Sequence, residues 1–253
     1  YTPYQPNQAA LNNLYGTGDS CSAYGNRNFW RLFNDWFGTA LINKPLTNID
    51  WRVENLDGSG QGSLNQRNDT VGIMGTSINY SGNLYVFHYN STNKSLDTSI
   101  AKSSGWVFET IDGRASNING STTNDVGKSV TATIYNNQLH IFYYDTTTKS
   151  LRHAWLTNPN SRDWIFETLD GSPSSVSGYS SNLGMSTTAI DSLGVLQLFY
   201  FDATTGNLRH AWFSPNTGWK FENLDGDYGS VSGYNGNVGE NPTALMSNGT
   251  LQL

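Results

Sequence analysis

Short runs in which apolar and polar side chains alternate recur between residues 39 and 253, and they predict β-strands. The clearest group consists of four runs, namely Met185–Ile190, Val195–Asp202, Leu208–Phe213 and Trp219–Asp225. Each run is rich in β-branched or aromatic residues and is bounded by turn-forming residues, which favours strands over helices. Between the second and third runs, Asp202 can bond its own backbone and Gly206 can adopt a positive φ. These runs therefore predict antiparallel hairpins.

A phrase of the form W-x-x-E-x-x-D-G returns four times along the chain. It begins at Trp51, Trp106, Trp164 and Trp219, so that successive copies are separated by 55, 58 and 55 residues. A near-constant period of this size indicates an array of units that pack on their neighbours. Four-stranded antiparallel units of this length match the blades of a β-propeller. We therefore predict an all-β fold, a β-propeller of four-stranded blades, for residues 39–253.

The two ends of the repeat bear on the number of blades. The last copy contains only its first two strands, within Pro242–Asn248 and Leu251–Leu253. The stretch before the first Asp-Gly pair lacks those two strands but ends in the phrase of the outer strand. If both ends combine into one blade, the ring closes with four blades. A longer protein with five to seven blades is the alternative.

Residues 1–38 do not match the repeat and are predicted to form a short, mainly helical segment. Asn7 can cap a helix that runs through Tyr15. Between Asn28 and Phe37, large apolar residues recur at the spacing of an amphipathic helix, although the same stretch also resembles a strand of the repeat. We expect these aromatic residues to cap the core of the main domain. The alternative is a docking surface for an attached domain or another protein.

Composition and charge narrow the set of partners. The chain is 36% hydrophobic, 13% aromatic and only 13% charged, with a formal net charge of −6 and no cluster of basic residues. Nucleic acid is therefore a poor partner, and an uncharged ligand fits better. The lone Cys21 cannot form an internal disulfide, and no Cys/His grouping has the spacing of a zinc site. We predict no cofactor and no metal.

Several features favour an extracellular setting. The chain begins at Tyr1 without a leader, as expected of a mature or excised fragment, and no apolar run is long enough to insert into a membrane. Several Asn-x-Ser/Thr sequons suit a secreted or cell-surface protein, although an Asn-rich chain acquires some by chance. They include Asn68, Asn79, Asn90, Asn119 and Asn248.

The repeated group L-R-H-A-W carries the candidate binding chemistry. It supplies Arg152, His153 and Trp155 in one copy, and Arg209, His210 and Trp212 in the next. Because side chains alternate along a strand, the His and Trp of each copy share one face and the Arg points to the other. A Trp ring can stack on a sugar, while Arg or His donors hold its hydroxyls. Alternatively, each Trp fills the gap between blades and each Arg pairs with an acidic residue on a neighbouring strand.

Two further repeated groups accompany these candidates. One glutamate per copy can accept hydrogen bonds from hydroxyl groups, namely Glu109, Glu167 and Glu222. The Asp-Gly pairs that begin at Asp57, Asp112, Asp170 and Asp225 predict turns in which the carboxylate caps backbone amides. Glycines at regular spacing, Gly72, Gly127, Gly184 and Gly239, predict a tight turn or a close approach of the backbone to something else.

The combination of D-x-x-T-x-x-L-R-H-A-W with W-x-F-E resembles the fucose-binding β-propeller lectins of fungal and bacterial type, over residues 39–253. The resemblance implies sugar sites between adjacent blades, with a neutral sugar such as fucose or galactose as ligand. Carried over by motif, it implies binding roles for Arg152, Trp155, Arg209 and Trp212, and less strongly for Glu109, Glu167 and Glu222. The first copy departs from the motif, because Leu96–Ile100 replaces L-R-H-A-W there.

Enzymatic function is not favoured. A glycosidase needs one pair of carboxylates at a defined separation, whereas here similar carboxylates recur in every copy. The turn at Asp202–Gly206 lacks the spacing to Trp that sialidase propellers show, and no Ser/His/Asp order or phosphate loop is present. We predict a non-enzymatic lectin. The alternatives are a propeller scaffold for protein–protein interaction and, less favoured, a glycosidase.

Overall fold

The computed structural model describes residues 53–59 and 63–253, and within these residues the fold is all-β. Residues 54–253 belong to one compact unit. Fourteen strands form four antiparallel sheets, three of four strands and one of two strands, and no helix occurs in the described ranges. The helical segment predicted within residues 1–38 lies outside these ranges, as do residues 39–52.

Each four-stranded sheet is a meander in which strands pair in the order in which they follow along the chain. The first sheet contains β1 (Ile73–Tyr80), β2 (Asn83–Asn90), β3 (Ser95–Lys102) and β4 (Gly105–Gly113). The second contains β5 (Val126–Tyr135), β6 (Gln138–Asp145), β7 (Ser150–Leu156) and β8 (Trp164–Asp170). The third contains β9 (Leu183–Ser192), β10 (Val195–Asp202), β11 (Asn207–Ser214) and β12 (Gly218–Asp225). The hairpin β13 (Leu245–Ser247) and β14 (Thr250–Gln252) follows. The predicted strands are confirmed, and the predicted limits of β10 match the observed ones.

Successive sheets pack face to face through a contact that recurs with the repeat. The ring of Trp164 in β8 meets the ring of Phe87 in β2 edge-on, with centroids 6.1 Å apart. The ring of Trp219 in β12 meets Phe142 in β6 in the same way, again at 6.1 Å. The tryptophan that begins an outer strand therefore packs on the second strand of the preceding sheet. Edge-to-face pairs of this kind add stability beyond the apolar area they bury.

The regularly spaced glycines allow two sheets to approach each other closely. Gly184 has φ +99°, and a Cβ atom placed there would lie 2.8 Å from Cα of Leu151 in the third strand of the preceding sheet. The same approach joins Gly127 to Leu96 and Gly239 to Leu208. The predicted close approach is thus confirmed for these three glycines, and its partner is the backbone of the neighbouring sheet. At Gly72, which has φ +85°, no atom of the described residues lies within 4 Å of an added Cβ.

We expect Gly184→Ala to destabilise the fold by roughly 2–5 kcal/mol, because left-handed strain and overpacking against Leu151 add together. Gly194 provides a matched control, since it also has a positive φ, +83°, but no atom lies within 4 Å of an added Cβ. Gly194→Ala should therefore cost only about 1–2 kcal/mol, the strain alone. Urea unfolding of both variants measures the difference, and equal losses would contradict the close approach.

The first strand of each sheet carries an irregularity that the sequence pattern does not reveal. Met74, Ser129 and Ser186 occupy equivalent places in β1, β5 and β9, and their φ values are 54°, 53° and 52°. Pairing with the second strand shifts register beside each of them. Bulges of this kind bend a strand. In all three sheets the bend falls on the strand that packs beside the first strand of a neighbouring sheet.

Candidate functional site

A buried polar cluster joins the first sheet to the second. Nε of Arg152 in β7 donates to Oδ2 of Asp112 at 2.9 Å, and the hydroxyl of Tyr143 donates to the same oxygen at 2.6 Å. Nη1 of Arg152 also lies 3.4 Å from the hydroxyl of Thr168. Arg152, Asp112 and Tyr143 are all buried. Burial and the neighbouring carboxylate together raise the pKa of Tyr143 well above its usual value, so that it serves as a donor.

The same cluster joins the second sheet to the third. Arg209 donates to Oδ2 of Asp170 at 3.0 Å, and Tyr200 donates to that oxygen at 2.6 Å. The ring of Tyr179 covers the guanidinium at 4.3 Å from its centroid, and Asn223 accepts a further hydrogen bond. Both predicted arginines are therefore held in ion pairs with a neighbouring strand. Pairing with an acidic residue is the alternative to sugar binding that the sequence left open for these arginines.

The first sheet lacks the Tyr and Arg of this cluster and uses a different arrangement. His88 stands at the position of the tyrosine and Asp97 at that of the arginine, which places two carboxylates, Asp57 and Asp97, close together. Arg67 comes from the segment before β1 and pairs with both, at 2.6 Å from Asp97. Burial alone would raise the pKa of Asp57, but hydrogen bonds from Arg67 and Asn65 lower it below its usual value.

The His and Trp of the second sheet do share a face, as predicted, and Glu167 joins them. Nδ1 of His153 lies 2.7 Å from Oε1 of Glu167, and the rings of His153 and Trp155 stack with centroids 4.8 Å apart. Nε1 of Trp219, from the third sheet, donates to the same glutamate oxygen at 3.1 Å. On its other side, Nε2 of His153 lies 2.9 Å from Nδ1 of His140. His140, His153, Glu167 and Trp219 thus form a continuous chain of polar contacts between the two sheets, and Trp155 stacks on it.

The protonation of this chain follows from burial. Burial lowers the pKa of His140 to about 3 and also lowers that of His153, although Glu167 acts in the opposite direction on His153. Both imidazoles are therefore neutral at pH 7. With Nδ1–H of His153 donating to Glu167, its Nε2 accepts from Nδ1–H of His140, an assignment that rests on the hydrogen-bond partners.

The third sheet repeats this arrangement of His, Trp and Glu, with one substitution at the position of His140. Nδ1 of His210 lies 2.7 Å from Glu222, and its ring stacks on Trp212 at 4.9 Å. Gln197 stands where the second sheet has His140, and its side-chain amide lies 2.7 Å from Nε2 of His210. Trp212 and Glu222 are partly exposed. The predicted His, Trp and Glu residues are thus brought together twice, once on each of these sheets.

A groove of about 520 Å³ lies beside the remaining predicted glutamate, between the β4–β5 loop and the β7–β8 turn. It is lined by Asn117, Ile118, Asn119, Thr157, Arg162, Asp163, Trp164 and Ile165. Nε of Arg162 lies 3.4 Å from Oε1 of Glu109 in β4, and 52% of the Arg162 side chain is exposed. The groove therefore combines a cation, a carboxylate and amides with apolar side chains, and Glu109 lies beside it through its contact with Arg162.

Of the residues that line the groove, the sequence singles out only Trp164, which begins a copy of the repeated phrase, and Asn119, which belongs to a sequon. The available signal was the length of a turn, since seven residues separate β7 from β8 whereas three separate β11 from β12. Arg162 and Asp163 lie in this longer turn and have no equivalents in the third sheet. A search restricted to repeated residues overlooks a site that only one repeat possesses.

Among the described residues, no group of three or more His, Cys, Asp or Glu side chains is arranged to hold a metal ion. Within the same ranges there is no helix with the length and apolar character needed to cross a membrane. Among the sequons named above, Asn90 is buried and donates to both Asp69 and Asp97. This asparagine is therefore inaccessible to a modifying enzyme in the folded protein.

Comparison with known proteins gives little further information. No protein-family model matches the chain, and no curated protein matches it. One solved structure, described as a glycoside hydrolase, aligns with 57% of this chain at 14% identity and a TM-score of 0.35. The alignment spans about one third of that structure, 33% of its length. Similarity at this level does not transfer a fold or an activity.

Proposed function

We propose that this protein is a non-enzymatic, carbohydrate-binding lectin whose repeats form the blades of a β-propeller. Three successive four-stranded meanders, joined by the same Trp–Phe contact and the same close approach of glycine to backbone, support the propeller arrangement. A fourth unit begins with β13 and β14. Radial repetition of such units leaves few exposed sheet edges.

The observation that carries the binding proposal is the groove between the first and second sheets. Its volume of about 520 Å³ falls in the usual range for small-molecule sites. Arg162 offers donors, Asp163 offers acceptors and Asn117 offers both within the groove. Glu109, which pairs with Arg162, offers further acceptors beside it. Sugars present hydroxyl groups that both donate and accept, along with apolar C–H faces. A groove with these mixed polar groups beside exposed Ile165 suits such a ligand.

A second candidate function, a scaffold for protein–protein contacts, is favoured by one surface. The loop that follows β12 exposes Tyr228, Val231 and Tyr234, which are 82%, 66% and 58% accessible. Exposed aromatic and aliphatic side chains close together often mark an interaction surface.

A secreted or cell-surface location is part of the proposed function for either candidate. The sequons at Asn68, Asn79, Asn119 and Asn248 are exposed, which supports it.

A glycan array probed with the full chain tests the lectin proposal. We expect retention of neutral glycans that end in fucose or galactose, and competition by the corresponding free methyl glycosides. Absence of any glycan signal above background would overturn the lectin proposal. A protein pull-down that persists in excess free monosaccharide, together with an empty array, would favour the scaffold.

We expect Trp155→Ala to destabilise the folded chain rather than only remove a binding site. The Trp155 ring stacks on buried His153 but is itself only partly buried, so the change should cost less than the ~3–5 kcal/mol typical of core aromatic residues. Thermal unfolding followed by circular dichroism measures the loss. A folded variant of unchanged stability that no longer retains glycans would instead assign Trp155 to a binding site.

A further inference from the structure

We infer that the groove between the first and second sheets is selective for an uncharged sugar residue, with Arg162 as donor and Glu109 and Asp163 as acceptors. Between the second and third sheets, the equivalent glutamate, Glu167, is already hydrogen-bonded by the protein's own side chains. This inference rests on the proposed carbohydrate-binding function. It adds which class of sugar is excluded and why Glu109, rather than Glu167, is available to the sugar.

The two interfaces differ at one cross-strand pair. Glu167 lies opposite His153, whereas Glu109 lies opposite Thr98. His153 and Trp219 both approach one oxygen of Glu167, within 2.7 and 3.1 Å. The shorter Thr98 makes no such contact, and its buried hydroxyl has no hydrogen-bond partner in the described part of the chain. Glu109 is therefore not committed to its own sheet.

Arg162 has side-chain donors beyond its contact with Glu109. Within the described residues the only polar contact of its side chain is the 3.4 Å ion pair through Nε, so the two terminal nitrogens are available. A guanidinium group presents parallel N–H donors in a planar fork, which suits two neighbouring acceptor oxygens. Adjacent hydroxyl groups of a sugar ring supply such a pair of oxygens.

The balance of charge in the groove selects against acidic sugars. Glu109, which pairs with Arg162, and Asp163, which lines the groove, carry two negative charges against the single positive charge of Arg162. A uronate or sulfated sugar would bring a further negative charge into this surrounding. Like charges at close range disfavour binding, whereas hydroxyl donors satisfy the carboxylates without such repulsion.

Calorimetric titration of the full chain tests the inference, with methyl α-L-fucoside, methyl β-D-galactoside and methyl galacturonoside anion as probes. We expect at least one neutral glycoside to bind and the uronate to bind at least tenfold more weakly. Arg162→Met and Glu109→Gln should each weaken the neutral glycoside at least tenfold. Arg114→Met, which removes an exposed arginine from the same β4–β5 loop outside the groove lining, should change affinity less than twofold.

The possible negative results distinguish a failure of this inference from a failure of the proposed function. If neither neutral glycoside binds, and the glycan array is also empty, the proposed function itself fails. If a neutral glycoside binds but Arg162→Met and Glu109→Gln leave its affinity unchanged, the inference is overturned and carbohydrate binding stands. Loss of binding in Glu167→Gln in place of Glu109→Gln would move the site to the second interface and likewise overturn the inference. Thermal unfolding of each variant confirms that it is folded.

Discussion

Replacement of Arg67 by methionine is expected to destabilise the folded protein by about 3–5 kcal/mol, the usual cost of removing one partner from a buried ion pair. Arg67 is the cation that Asp57 and Asp97 share, and the side chains of these aspartates are only 3% and 0% exposed. Without Arg67, the two buried carboxylates lose the positive charge that they share. Urea denaturation at pH 7 measures the change in the free energy of unfolding.

Two comparisons separate this effect from a general loss of surface charge. Arg162→Met removes an arginine whose side chain is 52% exposed, and it should cost less than about 1 kcal/mol. Adding Asp97→Asn to Arg67→Met should restore at least half of the lost stability, because one of the two uncompensated charges is then gone. If Arg67→Met is no more harmful than Arg162→Met, the shared ion pair does not stabilise the first sheet.

Acidification is expected to destabilise the protein well before its carboxylates titrate. His140 has its pKa lowered from 6.5 to about 3 by burial, and His153 is lowered for the same main reason. The unfolded chain therefore binds protons near pH 6.5 that the folded protein does not accept. Stability is full above that pH and falls below it, by up to about 1.4 kcal/mol per pH unit for each such histidine. Denaturant unfolding between pH 7.5 and 4.5 measures the slope.

The third sheet supplies the control for this pH dependence. Gln197 occupies the place of His140 there and contacts the equivalent histidine at 2.7 Å. His140→Gln should therefore keep a hydrogen bond to His153 and remove the contribution of one proton, about 1.4 kcal/mol per pH unit. Part of the slope should persist, since burial also lowers the pKa of His88. An unchanged slope in His140→Gln would show that the paired imidazoles do not govern the response to acid.

The strands and their repeat were predictable from sequence because they depend on local patterns. Alternation of apolar and polar residues, turn residues and the recurring Trp predicted β10 with its observed limits. The same signals predicted the ends of β9, β11 and β12 to within one or two residues. The Asp-Gly turns were also predicted correctly, since Asp112 and Asp170 accept a hydrogen bond from the following glycine amide. The strand alternation placed His153 and Trp155 on one face.

The polar contacts between sheets were not predictable in the same way. Whether Arg152 reaches a ligand or Asp112 depends on how two sheets stack, and alternation along one strand does not fix that distance. The role of Arg67 was hidden for a related reason, because it lies outside the repeated positions and compensates a substitution 30 residues later, at Asp97. Bends in the first strands arise from positive φ at non-glycine residues such as Ser129, which carry no sequence signal.

The sheets thus share one scaffold and differ in the chemistry of their interfaces. Trp164 and Trp219 make the same contact in both interfaces, which fits a structural role for the conserved phrase of the repeat. The side chain opposite the repeated glutamate varies, from Thr98 to His153 and His210. On the proposed account, this one position decides whether the glutamate is occupied within its own sheet or available to a sugar.

The central claim is that the chain binds sugar in the groove between its first two sheets. The most direct measurement is an NMR titration of the full chain with methyl α-L-fucoside and, separately, methyl β-D-galactoside, following backbone amide shifts. The account predicts that saturable shifts for at least one glycoside concentrate at residues 117–119 and 162–165, which line the groove. Saturable shifts that concentrate instead around Trp212 and Glu222, or no saturable shift with either glycoside, would contradict it.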